Sequence, residues 1–159
     1  MRDLTSSEKF ILCGAGATAL LAFFPWISVS MGNNEMGEIF KQFGAAAGGP
    51  SGNGFSSGWG VGAFLAAVAT CVLVAADRSG MLPWQPPARL LAPLASSGLA
   101  LLCLLVVFGR VSSASTPMVS VGRSMWFYLA LVAMGFATFH AFQRWSEGSK
   151  SDANQQSGV

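Results

Sequence analysis

Charged side chains are scarce in this sequence. Asp, Glu, Lys and Arg make up 10% of its 159 residues, whereas 52% of the residues are hydrophobic. An average soluble domain carries about 25% charged residues, and so few charges could not cover the surface of a small soluble protein. The net charge of +2 is also too small to indicate a nucleic-acid partner. The composition therefore predicts that much of the surface faces lipid.

Side chains that carry chemistry are rare as well. The only histidine is His140, and the three cysteines, Cys13, Cys71 and Cys103, all lie inside apolar runs. An odd number of cysteines with none in a loop argues against a disulfide framework. A metal site built from Cys13, Cys71 and His140 is conceivable, but the close spacing of soft-metal ligands within one segment is missing. We expect no catalytic, cofactor-binding or metal-binding residues.

Four long apolar stretches dominate the chain. They cover about residues 10–28, 59–76, 90–109 and 125–142, and none contains Asp, Glu, Lys or Arg. Each approaches the ~20 residues that cross a bilayer core, and none alternates as the strands of a membrane barrel would. We predict an all-α membrane protein, with four transmembrane helices forming a bundle in a single domain, residues 1–145. The polar stretch 146–159 is predicted to be a disordered cytoplasmic tail.

The basic residues predict the orientation, because Lys and Arg concentrate on the cytoplasmic side of membrane proteins. With the N-terminus inside, the cytoplasmic basic residues are Arg2, Lys9, Arg78, Arg89, Arg144 and Lys150. Lys41, Arg110 and Arg123 would then lie outside, and the last two weaken the bias. We predict that both termini are cytoplasmic.

The five tryptophans all lie near predicted helix ends. Trp26, Trp59 and Trp126 fall at outer ends, and Trp84 and Trp145 at inner ones. The amphipathic indole ring prefers the level of the lipid headgroups. We therefore predict that all five are interfacial anchors in contact with the bilayer.

The end of the first apolar stretch, FFPWISVSMG, has two interpretations. Pro25 lacks an N–H and disturbs the last turn of a helix. Alternatively, Arg2, Lys9 and the apolar run, followed by Ser28-x-Ser30, fit a cleavable signal peptide. The bulky Pro-Trp pair close to that site argues against cleavage, so we expect the segment to be retained. Both interpretations leave the rest of the chain in the same orientation.

The first outer loop, about residues 29–58, is long and ends in the glycine-rich sequence GAAAGGPSGNGFSSG. It lacks the Lys and Ser/Thr that follow the glycines of a phosphate-binding loop. Small residues then continue into the second helix at four-residue steps: Gly58, Gly62, Ala66 and Thr70. Close helix contact in lipid depends on small residues, so we predict a helix-packing face. This face could pack inside the bundle, which we favour, or dock a partner subunit.

Two short motifs carry a resemblance to known proteins. Pro25-Trp26-Ile27-Ser28-Val29 forms a Pro-Trp turn and a β-like stretch, and Ser57-Gly58-Trp59 precedes the second helix. These motifs resemble those of a loose class of small bacterial four-span proteins of unknown function. The resemblance implies a location in the bacterial inner (cytoplasmic) membrane and no particular activity. The loop layout is also similar to that of claudin-like proteins, but the GLW element and the cysteine pair of that family are missing here.

The small-residue faces and the lack of reactive groups favour a non-enzymatic function. We expect an accessory or scaffolding subunit of a larger membrane assembly, in contact with the lipid bilayer and with other membrane subunits or copies of itself. The alternative is a small homo-oligomeric channel or transporter, for which only Thr70, Ser96, Ser97 and Thr138 offer polar side chains. A membrane enzyme that uses His140 or the outer loop is the least supported interpretation.

Overall fold

Four helices and three short strands make up the computed structural model, which describes residues 5–31, 51–81, 86–113 and 119–156. The helices are α1 (Ser6–Leu21), α2 (Gly58–Ser79), α3 (Pro86–Ser113) and α4 (Met125–Gln156). Helix α1 packs against α4 and α2, α2 packs against α3, and α3 packs against α4, so the helices form a closed ring. The prediction of a mostly helical protein is confirmed.

Three of the helices are long and apolar enough to cross a membrane. The stretches are Gly58–Ser79, Ala88–Val111 and Met125–Ser149. Helix α1 has 16 residues and a length of about 24 Å at 1.5 Å per residue. The predicted extension of the first helix to residue 28 is wrong, because α1 ends at Leu21. Pro25 disfavours helical backbone in the residue that precedes it.

A three-stranded antiparallel sheet lies where α1 ends and α2 and α4 begin. Its central strand is β1 (Pro25–Met31), flanked by β2 (Ser51–Asn53) and β3 (Val119–Arg123). Ile27 pairs with Gly52 on one side and with Arg123 on the other. The sheet thus joins the connection between α1 and α2 to the connection between α3 and α4. The prediction of an all-α fold is wrong at this end of the molecule, because it contains a sheet. The β-like stretch expected after the Pro-Trp turn is present as β1. Residues 32–50, most of the predicted first outer loop, lie outside the described residues.

The helix ends follow local chemistry. The Ser57 side chain caps α2 by accepting a hydrogen bond from the N–H of Gly60 at 3.0 Å. The same helix stops at Gly80, whose φ of +69° is left-handed backbone that glycine adopts without strain. Helix α4 continues to Gln156, beyond the predicted end at residue 142 and into the predicted disordered tail. That polar stretch contains no proline, so nothing in it interrupts the backbone ladder.

Many of the buried side chains are small, and many large apolar ones face outward. The fully buried residues include Ala63, Ala67, Ala100, Ala130 and Ala137. The exposed residues include Leu20, Leu65, Val72, Leu102 and Val132. At Gly14, an added Cβ would lie 2.6 Å from the carbonyl oxygen of Ala133, so the backbones of α1 and α4 nearly touch. This distribution is typical of helices that pack within lipid.

Candidate functional site

Four charged side chains meet at the end of the helix ring opposite the sheet. They are Glu8 of α1, Asp77 of α2, Arg89 of α3 and Arg144 of α4, and we call them the charged cluster. Arg144 Nη2 lies 2.8 Å from Glu8 Oε1 and 3.0 Å from Asp77 Oδ2. Arg89 pairs with Asp77 Oδ1 through its Nε. Because each helix contributes one residue, the cluster connects all four.

Glu8 is held in place by the start of its own helix. Thr5 and Glu8 form a capping box, in which Thr5 Oγ1 accepts a hydrogen bond from the Glu8 N–H at 3.3 Å. The Thr5 N–H donates in return to Glu8 Oε2 at 3.0 Å. This reciprocal pair satisfies two N–H groups that a helix start would otherwise leave unpaired. It also fixes the carboxylate so that Oε1 remains available for Arg144.

Asp77 is the most enclosed member of the charged cluster, with 7% of its side chain exposed. It lies in the last turns of α2, where the helix dipole is unfavourable for a carboxylate. Two guanidinium groups offset this cost, and Arg89 Nη2 also donates to the carbonyl oxygen of Asp77 at 3.3 Å. The loss of one partner of a buried ion pair is costly because the other charge stays buried. The charged cluster therefore stabilises the arrangement of the helices and also forms a polar surface.

A pocket of about 460 Å³ opens beside the charged cluster. Its lining combines three arginines, three carboxylates and two hydroxyl groups from the ends of all four helices: Thr5, Ser7, Glu8, Asp77, Arg78, Gly80, Arg89, Arg144 and Glu147. Nη1 of Arg78 and Nη1 of Arg144 are buried and have no hydrogen-bond partner. The pocket is therefore a polar site at the level where the apolar helices end.

The basic residues at the sheet end are engaged with the protein itself. Arg123 Nη2 donates to the carbonyl oxygen of Phe108 at 3.0 Å, and its guanidinium carbon lies 3.7 Å from the centre of the Phe108 ring. The guanidinium carbon of Arg110 lies 6.0 Å from the Trp59 ring. An open groove of about 730 Å³ beside them is lined mainly by apolar side chains. Arg110 and Arg123, which weaken the basic-residue bias, thus have structural contacts at this end.

The histidine and the cysteines do not come together. His140 stacks on Phe10 with ring centres 4.7 Å apart and meets the edge of Phe136 at 4.4 Å. Its Nδ1 is buried without a hydrogen-bond partner. Cys13 is exposed and Cys71 is half-buried. Among the described residues, no group of three or more His, Cys, Asp or Glu side chains could hold a metal ion.

The predicted small-residue face of α2 meets α3 along most of its length. A Cβ on Gly62 would lie 3.3 Å from Cys103 Sγ. Thr70 is fully buried, and its Oγ1 lies 2.9 Å from Ser96 Oγ on α3. Ala66 is also buried, whereas Gly58 is exposed and a Cβ there would meet no atom within 4 Å. Three of the four residues thus lie on the inner side of the ring.

The tryptophans occupy different environments. Trp26 is 2% exposed, and its Nε1 donates to the carbonyl oxygen of Leu21 at 2.7 Å. Its ring closes the core against Phe127, so the prediction that Trp26 anchors the protein in the headgroups is wrong. Trp59 is 43% exposed, and Trp126 stacks on Phe24. Trp145 is half-buried 5.8 Å from Phe142. Trp84 lies outside the described residues.

The sequence-based prediction placed the two arginines of the charged cluster, Arg89 and Arg144, on the same side of the membrane but did not pair them with the carboxylates. One available signal was the sequence Thr5-x-x-Glu8 before an apolar run, which is typical of a capping box. A second was the position of Asp77, which directly follows an apolar stretch and lacks a basic partner one helical turn away on its own helix. The pairing itself depends on how the four helices are arranged in space.

Comparison with known proteins adds no relative to this description. The chain matches no known protein family, no curated protein sequence and no solved structure. The functional proposals therefore depend on the geometry of its own residues.

Proposed function

We propose that this chain is a four-span protein of the bacterial inner membrane, with α1 as the fourth membrane-crossing helix. Helix α1 is short, but it extends from one polar end of the ring to the other. Glu8 near its start contacts Arg144, and Ala22 just after its end accepts a hydrogen bond from the N–H of Gly54 in the connection to α2. It therefore covers the same depth as its neighbours.

The spacing of the polar ends supports the same proposal. On α2, Gly60 at the sheet end and Asp77 in the charged cluster are separated by about 26 Å at 1.5 Å per residue. On α4, Phe127 and Arg144 have the same separation in sequence. This distance is close to the ~30 Å thickness of a bilayer hydrocarbon core. The exposed Leu, Val and Phe side chains between these levels would face lipid tails.

The proposed orientation places the charged cluster in the cytoplasm and the sheet outside. Arg78, Arg89 and Arg144 then lie inside, as the bias of basic residues favours. A cysteine introduced at Ser51 should react with an impermeant thiol reagent in intact cells, and one at Ser149 should not. Labelling only of the cysteine at position 149 would show that the orientation is the opposite of the one proposed. The protein's mass should also show that α1 is retained, because Ser28–Ser30 belong to the central strand of the sheet.

Within the membrane, we propose a non-enzymatic role as an accessory or scaffolding subunit of a larger assembly. The observation that carries this proposal is the filled interior. Small buried side chains bring the helices into close contact, as at Gly14 and Ala133. The hydroxyls that a pathway could use are engaged in the packing: Thr70 is bonded to Ser96, and Ser97 donates to the carbonyl oxygen of Leu94 at 3.0 Å. A packed interior of this kind supports a structural role for the single chain.

Purification in a mild detergent, followed by native mass spectrometry, tests this role. We expect the protein to be retained in a complex with another membrane protein at a fixed stoichiometry. A symmetric complex of this chain alone would favour the homo-oligomeric channel or transporter. A monomer, obtained in several mild detergents, would contradict the subunit proposal.

A further inference from the structure

Arg144 of the charged cluster and the neighbouring Arg78 each have a buried donor without a hydrogen-bond partner. Both carboxylate oxygens of Asp77 are used, one by Arg89 and one by Arg144. Both oxygens of Glu8 are used too, by Arg144 and by the N–H of Thr5. The Nη1 groups of Arg78 and Arg144 remain buried without an acceptor. Unpaired buried donors are costly, and charged ones especially so, so these two groups favour a further acceptor in the pocket.

The surroundings indicate what kind of acceptor would fit. Arg78 and Arg144 both line the 460 Å³ pocket, together with the hydroxyl-bearing residues Thr5 and Ser7. A water molecule occupies about 30 Å³ in the liquid, so the pocket has room for a much larger polar group. Guanidinium groups and hydroxyls are the donors that bind the several oxygens of one phosphate, and arginine does so with a planar fork.

The charge balance of the pocket favours one class of phosphate ligand over another. Three arginines face three carboxylates, those of Glu8, Asp77 and Glu147, so the lining has no net formal charge. A singly charged phosphodiester needs less neutralisation than a doubly charged phosphate monoester. The pocket also lies where the apolar stretch of α2 ends, which in the proposed membrane arrangement is the level of the lipid phosphates.

We propose that this pocket binds a phosphodiester group through Arg78 and Arg144, with Ser7 as an additional donor. The phosphodiester belongs either to a phospholipid headgroup or to a soluble molecule. This binding site is independent of the accessory role. Its phospholipid alternative rests on the proposed membrane span, whereas its soluble alternative depends only on the pocket at the charged end of the helices.

Arg78 is the residue to change, because it contributes an unpaired donor and forms no ion pair within the charged cluster. Arg144 is unsuitable, since its removal would take away the ion-pair partner of Glu8 and leave Asp77 paired with Arg89 alone. Arg78→Gln keeps most of the side-chain volume and removes the charge. Lys9→Gln is the matched control: it removes the same charge from an exposed residue at the same end that does not line the pocket.

Binding is measured on the full chain in detergent by native mass spectrometry and by thermal shift. The probes are phosphatidylglycerol, the phosphate-free lipid diacylglycerol, and the soluble phosphodiester glycerophosphoglycerol. We expect phosphatidylglycerol to bind and diacylglycerol not to bind. Arg78→Gln should weaken binding about tenfold or more, the loss expected for one hydrogen bond to a charged group, while Lys9→Gln should change it less than twofold. Binding of the soluble phosphodiester with the same dependence on Arg78 would identify a soluble ligand.

A second pair of variants tests the proposal independently, in case Arg78→Gln does not fold. Ser7→Ala removes a hydroxyl that lines the pocket, and Ser6→Ala removes its exposed neighbour, which does not. We expect a severalfold loss of affinity in Ser7→Ala only. Three results would overturn the proposal: equal effects of the two variants within each pair, phosphodiester affinity unchanged in both Arg78→Gln and Ser7→Ala, or no binding of either phosphodiester to the unmodified chain.

Discussion

Gly14 and Gly16 lie on the same helix and meet very different surroundings. A Cβ on Gly14 would lie 2.6 Å from the carbonyl oxygen of Ala133 and 2.9 Å from Ala137 Cβ, whereas a Cβ on Gly16 would meet nothing within 4 Å. Ordinary C···O contacts are about 3.3–3.6 Å. Gly14→Ala must therefore push α1 and α4 apart by several tenths of an ångström or more, and Gly16→Ala need not move anything.

The expected change in the free energy of unfolding is the sum of two opposing contributions. Replacing glycine by alanine in a helix interior stabilises the helix by about 0.8–1 kcal/mol, and both variants receive this gain. Overpacking a tight interior costs about 1–3 kcal/mol, and only Gly14→Ala incurs it. The hydroxyl of Thr18, 2.9 Å from the carbonyl oxygen of Gly14 and 3.3 Å from that of Ala130, would also lose its reach to α4. We expect Gly14→Ala to be about 1–3 kcal/mol less stable than Gly16→Ala.

Reversible unfolding in mixed micelles of a mild detergent and SDS measures this difference. Gly16→Ala should unfold at the same SDS fraction as the unmodified protein or at a higher one, and Gly14→Ala at a lower one. Because the two variants have the same change in composition and helix propensity, the comparison isolates the contact between α1 and α4. Equal stability of the two variants would refute the close approach of these helices and, with it, the closed ring.

The same logic applies at the sheet end and in the charged cluster. A Cβ on Gly60 would lie 1.7 Å from a backbone oxygen of the turn before α2, so Gly60→Ala should cost about 3 kcal/mol or more. A Cβ on Gly58 would meet no atom within 4 Å, so Gly58→Ala should hardly change the free energy of unfolding in the same assay. Equal free energies of unfolding for Gly60→Ala and Gly58→Ala would contradict the close contact between that turn and α2. Arg144→Gln should lower the free energy of unfolding by about 3–5 kcal/mol, the usual cost of unpairing a buried charge. Adding Asp77→Asn should recover part of the loss, and a purely additive double variant would show that the two side chains do not interact.

The positions of the long helices could be predicted because apolar length is a local property. The fourth predicted segment and α4 both begin at Met125, and the predicted start of the second, Trp59, differs from that of α2 by one residue. The first segment was predicted too long for the same reason. Apolar content does not distinguish a helix from a buried strand. Trp26 was included in the predicted helix because it is apolar, but it lies in β1 and closes the core.

The sheet could not be predicted in full because its partners are far apart in sequence. Ile27 pairs with Arg123, and although residues 27–31 and 119–123 both alternate, so short a pattern does not show which strand pairs with which. The register depends on helices that bring the two connections to one end of the ring. The same limit applies to the charged cluster, since the sequence does not show that Glu8 and Arg144 touch. The small-residue pattern of α2 was easier to read, because it depends only on the period of one helix.

The two ends of the helix ring are stabilised by different forces. The sheet end combines backbone hydrogen bonds between strands with aromatic packing, such as Trp26 against Phe127 at 5.6 Å. The opposite end depends on ion pairs among residues that also line a polar pocket. Buried backbone pairing responds little to the charge of its surroundings, whereas partly exposed ion pairs respond to salt and to neighbouring charges. A phosphate bound beside Arg78 would therefore affect the charged end directly and reach the sheet end only through the packed helices.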